Sequence, residues 1–128
     1  MPPDEPKTIL IIDDEQTLLS ALIDKFTREG FVVLAKKNGQ EGLHCALTDH
    51  PDLILLDIIM PVMDGMTMLA KLRKDPWGKN AKVIMLTNLS EVEKVASQLQ
   101  GVYDYLVKSD WELKDIVKKV KERLGVTV

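Results

Sequence analysis

The chain has 128 residues, 45% of them apolar and 29% charged, which suits one soluble globular domain with a real hydrophobic core. A net charge of −3 and the lack of clustered basic residues exclude a general affinity for nucleic acid or for an anionic membrane. One cysteine rules out an internal disulfide, and no apolar run approaches the roughly 20 residues of a membrane span.

Met1 to Pro6 is acidic and proline-rich, unlike a signal peptide, and reads as a frayed arm before a single domain over residues 7–128. The cytoplasm is the expected location. Five alternations of strand and helix signals follow. Lys7 to Ile12 is an apolar, β-branched strand, and Glu15 to Glu29 an amphipathic helix with Gly30 at its C-terminal cap. Phe31 to Lys36 is the second strand, and Gln40 to Asp49 a short helix opened by Asn38-Gly39. Asp52 to Asp57 is among the most apolar runs and therefore central. A loop from Ile58 to Asp64 leads to a helix over Gly65 to Lys74, and Lys82 to Thr87 is the fourth strand. Ser90 to Glu93 has capping-box spacing and starts a fourth helix that Gly101 closes. Val102 to Val107 is the fifth strand, and Ser109 to Glu112 a second capping box opening the last helix, which ends before Gly125. Five β/α units with short loops predict an α/β, three-layer, doubly wound sandwich of (βα)5 type with a parallel sheet in the order 2-1-3-4-5.

Apolar strands that end in polar residues bring those residues to one edge, where open α/β sheets place their chemistry. In the expected order Asp13-Asp14 and Asp57 converge from neighbouring strands. Three gathered carboxylates repel one another unless a hard cation sits among them, and Mg2+ suits such oxygen ligands. Lys108 and Thr87 end the two strands beyond Asp57 and would supply an ammonium and a hydroxyl for phosphoryl oxygens. Asp57 is on this reading a cation ligand, or also a nucleophile that takes up a phosphoryl group.

Residues 7–124 resemble the receiver domain of two-component response regulators. The matching elements are IIDDE (Ile11 to Glu15), LLDIIMPVMDG (Leu55 to Gly65), VIMLT (Val83 to Thr87) and YDYLVK (Tyr103 to Lys108), in order across nearly the whole chain. The resemblance implies that Asp57 is the phosphoacceptor. It implies Asp14, Asp57 and the Ile59 carbonyl as Mg2+ ligands, with Asp13 reaching the ion largely through water. It further implies that Thr87 and Lys108 bind the phosphoryl oxygens and that Tyr105 reorients on activation. A histidine kinase or phosphotransfer protein would be the donor, and the face of helix four, strand five and helix five would address a protein target. The domain would act as a monomer or a phosphorylation-dependent dimer. It would assist only its own phosphorylation and dephosphorylation. Only Gly125 to Val128 follow the last helix, so a stand-alone receiver is the simplest expectation.

Two positions depart from the family's pattern. Ser109 stands where proline usually follows the lysine, and a cis bond before a non-proline residue costs about 2.5–4 kcal/mol, so a trans Lys108–Ser109 bond is expected. Asn88 replaces a smaller residue after Thr87; with apolar Ile59 and Leu89 nearby it predicts a drier pocket and slow self-dephosphorylation. One rival is an aspartyl phosphatase like the haloacid dehalogenases, which needs a second acid where this chain has Ile59. A phosphorylation-independent pseudo-receiver is the other, although its acid pocket would be degraded. Flavin binding is weaker still, because strand one ends in acids. His44, His50, Trp77, Trp111 and Cys45 read as surface or packing residues.

Overall fold

The computed structural model describes residues 5–87, 104–108 and 112–126, except for the side chains of Thr87, Asp104, Tyr105 and Val107. Five strands, β1 (Thr8–Ile12), β2 (Val32–Lys36), β3 (Leu53–Asp57), β4 (Val83–Thr87) and β5 (Asp104–Val107), form one parallel sheet in the order β2-β1-β3-β4-β5. That is the expected fold class and strand order. The helices α1 (Gln16–Arg28), α2 (Gly39–Asp49) and α3 (Gly65–Lys74), and a C-terminal helix (Leu113–Leu124), complete the described elements. The helix expected from Ser90 to Gly101 lies outside the described residues.

The strand alternation sorts the core into two layers, because successive side chains point to opposite faces. Leu10, Ile12, Ile54, Leu56, Val83 and Met85 pack with Ala46 of α2 and Met68, Leu69 and Leu72 of α3. The odd-numbered neighbours Ile9, Ile11, Leu53 and Leu55, with Ile84 and Leu86, pack with Leu19, Leu22 and Phe26 of α1 and Ile116, Val117 and Val120 of the C-terminal helix. All five residues of β3 are buried, in keeping with its central place.

Helix ends follow local chemistry. Asn38 caps α2 by accepting from the Glu41 N–H at 2.9 Å, and Asp64 caps α3 by accepting from the Thr67 N–H at 2.8 Å. Gly30, at φ 94°, lets the chain leave α1 with the Gly30 and Phe31 N–H groups bonded to the Thr27 and Phe26 carbonyls. Phe31 then turns its ring edge to Phe26, 5.5 Å away. One expected boundary is corrected. The C-terminal helix starts at Leu113 with Glu112 as its N-cap, and the Asp115 carboxylate accepts from the Glu112 N–H at 3.2 Å. Three more residues, Ser109 to Trp111, precede this cap and lie outside the described chain, as does the Lys108–Ser109 bond. Among the described residues no helix is long and apolar enough to cross a membrane.

Candidate functional site

The carboxyl ends of β1 and β3 are adjacent, since Ile12 pairs in register with Leu56. Asp13 and Asp14 therefore leave β1 beside the end of β3, where Asp57 is the last residue. Each of the three offers a carboxylate oxygen within 4.8 Å of the others. Asp13 is fully buried and Asp57 is 4% exposed, whereas Asp14 faces solvent. On the far side, Asp57 pairs in register with Leu86 of β4, and Thr87 with Val107 of β5. Thr87 thus ends β4 one residue beyond the level of Asp57, and Lys108 follows β5 directly. The backbones of Thr87 and Tyr105 sit where strand order puts them; their side chains lie outside the described residues, as do Asn88 and Leu89.

Lys108 reaches back over the sheet edge to the acids. Its Nζ lies 3.0 Å from Asp13 Oδ2, 3.4 Å from Asp57 Oδ1 and 3.5 Å from Glu15 Oε2. Backbone groups also hold these carboxylates, on the second oxygen of Asp13 and on the same Oδ1 of Asp57. Asp13 Oδ1 accepts from the Glu15 N–H and Asp57 Oδ1 from the Ile58 N–H, both at 2.9 Å. Gly65 matters here because a Cβ at that position would collide with the Asp57 carbonyl oxygen, while its own N–H donates to the Ile58 carbonyl at 2.7 Å. The first turn of α3 is thereby pressed against the end of β3. Ile59, two residues past Asp57, is 58% exposed.

The electrostatics are unbalanced. Burial pushes the Asp57 carboxyl up to about 7, the charge of Asp13 adds to this, and Lys108 only partly offsets it. For Lys108, burial alone would lower the ammonium, but its close contact with Asp13 and the fields of Asp57, Asp13 and Glu15 outweigh it and raise the group. Asp13 Oδ2 is buried with no hydrogen bond of ordinary geometry among the described residues; the Lys108 ammonium is its ion-pair partner. A cation among these oxygens would answer both the orphaned oxygen and the crowding. The donor set is all oxygen, which fits a hard ion such as Mg2+.

Sequence reasoning brought Asp13, Asp14, Asp57 and Lys108 to one place, and the structure gathers them there. It missed Glu15, which reads as the first residue of a helix. Glu15 is the N-cap of α1 yet makes no capping hydrogen bond among the described residues, and its carboxylate turns to Lys108 instead. Its place next to an acid pair was the available signal. His50 was read as a surface residue and is one, but its ring stacks on Trp77 at 4.3 Å and 7°.

The chain matches the family model described as the response regulator receiver domain over residues 9–121. It is 38% identical over 101 residues, 78% of this chain, to the regulatory protein AtoC of Escherichia coli. The chain spans between 22% and 50% of the length of the first curated relatives it matches. Among solved structures it is similar to the response regulator protein TrrA of Thermotoga maritima, solved in complex with Mg2+ and BeF. That match has a TM-score of 0.80 at 32% identity and covers 91% of this chain and 97% of that one. A receiver domain protein of Methanospirillum hungatei, described as CheY-like, matches with a TM-score of 0.80 at 29% identity, covering 94% and 95%.

Proposed function

Because this chain belongs to the response regulator receiver domain family, we propose that it is a phosphoacceptor switch in which Asp57 takes a phosphoryl group from a phosphohistidine of a partner kinase or phosphotransfer protein. The observation that carries this reading is the environment of Asp57. It is a nearly buried carboxylate with two further acids within 4.8 Å and an ammonium at 3.4 Å. An Asp57 carboxylate oxygen would form the new bond to phosphorus as the donor's phosphorus–nitrogen bond breaks. The electron pair stays on the imidazole ring, which takes up a proton. Asp14 and Asp57 would hold Mg2+ directly, the Ile59 carbonyl would add a ligand, and Asp13 would act through water. Bound there, the ion would offset negative charge on the transferring group.

The remaining steps belong to this chain's own residues. Asp57 must be deprotonated to attack; without a cation, burial and Asp13 push its carboxyl up to about 7, and a cation among the acids would favour the deprotonated form. Lys108 neutralises a phosphoryl oxygen after transfer, and Thr87 donates to another. The new charge draws these two groups inward, and Tyr105 follows. The face that the family resemblance assigns to helix four, strand five and helix five would then change its affinity for a protein target. This is a two-state equilibrium biased by one local charge. Solved as a complex with Mg2+ and BeF, TrrA lends support to a cation and a phosphoryl group side by side.

Incubation with Mg2+ and acetyl phosphate, followed by intact mass measurement, tests the reading. The expected result is one phosphoryl adduct on the wild type and none on Asp57→Asn. Equal labelling of both proteins, or turnover of a small phosphate ester without an adduct, sinks it.

A further inference from the structure

Lys108 is claimed by more acids than a phosphoryl receptor requires. Asp13 and Asp57 hold it from inside at 3.0 and 3.4 Å. Glu15 holds it from outside at 3.5 Å, with a side chain 59% exposed. Three carboxylates thus lie within ion-pair distance of one ammonium. Glu15 differs from the other two in three respects. It is not among the oxygens that cluster for a cation. Its backbone N–H is bonded to Asp13 Oδ1, which fixes where its side chain starts. And it holds the N-cap position of α1, where the orphan amides of the first turn would welcome a carboxylate, yet it points away from them to Lys108.

On the reading that Asp57 is the phosphoacceptor, we propose that Glu15 is a positioning residue that competes with the phosphoryl group for the Lys108 ammonium. At rest it holds the outer side of the ammonium while Asp13 and Asp57 hold the inner side. A phosphoryl group on Asp57 competes with Glu15 for the charge of the Lys108 ammonium, so the pair sets how tightly the phosphoryl state is held. Phosphorylation and loss of the Lys108–Glu15 contact are then linked events.

The test is a double-mutant cycle read by fluorine NMR of beryllofluoride binding at saturating Mg2+, a phosphoryl mimic that needs no turnover. Glu15→Gln keeps the size of the side chain and removes the charge. An exposed ion pair of this kind predicts roughly two- to five-fold tighter beryllofluoride binding in Glu15→Gln. In a Lys108→Met background the same change should do nothing, since no ammonium remains to be contested. An equal effect in both backgrounds would mean that Glu15 acts only through its field on the site, and overturns the proposal. Weaker or unchanged binding in Glu15→Gln alone overturns it as well. If the wild type binds no beryllofluoride with Mg2+, the phosphoacceptor reading itself fails, and this inference with it.

Discussion

At the amino end of the sheet the charged loop groups meet their partners. Asp52 Oδ2 accepts from the Thr8 N–H at 2.7 Å, and Asp75 Oδ2 from the N–H groups of Trp77 and Gly78 at 2.9 and 3.0 Å. Arg73 Nη1 donates to the Gly78 and Ala81 carbonyls at 2.9 and 2.7 Å, and His50 lies flat on Trp77. At the carboxyl end, Asp13, Asp57 and Glu15 share one ammonium, Asp14 adds a further acid, and Asp13 Oδ2 stays without a proper hydrogen bond. Similar residue types thus serve opposite purposes. One end spends its polar groups on closing loops; the other keeps them in tension, ready for a cation and a phosphoryl group.

The sharpest way to break this contrast is to damage the satisfied end. Arg73→Ala leaves the Gly78 and Ala81 carbonyls without their guanidinium, and a hydrogen bond to a charged group is worth about 1.5–3 kcal/mol. A destabilisation of about 2–3 kcal/mol is expected in urea unfolding, with little change in Mg2+ binding. A loss below about 0.5 kcal/mol would show that this end is not held by such bonds.

At the charged end the sign should reverse. Removing one partner of a balanced buried ion pair is costly, but here the acids outnumber the ammonium. Asp13→Asn keeps an oxygen for the Glu15 N–H and leaves Lys108 with Asp57 and Glu15. Without metal it should raise stability by about 1–2 kcal/mol while weakening Mg2+ binding. A destabilised Asp13→Asn would place this end with the satisfied one. The pH dependence sharpens the same point. Asp57 has a folded-state pKa raised to about 7 from an ordinary value of 3.8. Between these values the folded state holds a proton that the unfolded chain has released, so this group's contribution to stability is present at low pH and is lost as pH rises through about 7. In metal-free buffer, the stability of the wild type relative to Asp57→Asn should fall from pH 4 to 7 and level off above it. A flat difference in melting temperature would contradict the raised value.

Much of the contrast was legible in the sequence, because strand ends are written in composition. Runs such as Leu53 to Leu56 must be buried on both faces, and a polar residue closing each run must emerge at one edge. Once the strand order was inferred, the meeting of Asp13, Asp14 and Asp57 followed. Less legible were features set by reach and by backbone. Glu15 looked like a helix residue, since nothing local says that its side chain will cross to Lys108, 93 positions away. The start of the last helix was misplaced because Ser109 and Glu112 have capping-box spacing, while Glu112 and Asp115 use the same device one turn later. The stack of His50 on Trp77 joins two loops that only the finished fold brings together.

The smallest expected effect concerns Val62, where the loop after β3 stores strain of a different kind. Val62 has φ 68°, and the Met63 N–H donates across it to the Pro61 carbonyl at 2.7 Å. A β-branched residue is costly in this left-handed region, by roughly 1–2 kcal/mol, and Val62 is 75% exposed, so burial of its side chain offers little in return. Glycine would adopt the conformation freely, but it also gives the unfolded chain more freedom to lose, which takes back about 0.4–1 kcal/mol. The net expectation for Val62→Gly is a gain of about 0.5 kcal/mol in chemical unfolding. The Met63 carbonyl also accepts from the Gly39 N–H at 3.0 Å, so the strained turn is tied to the start of α2. If Val62→Gly is instead less stable by more than the glycine entropy allows, the exposed isopropyl group contributes to the folded loop, and the carboxyl end is less strained than its backbone indicates.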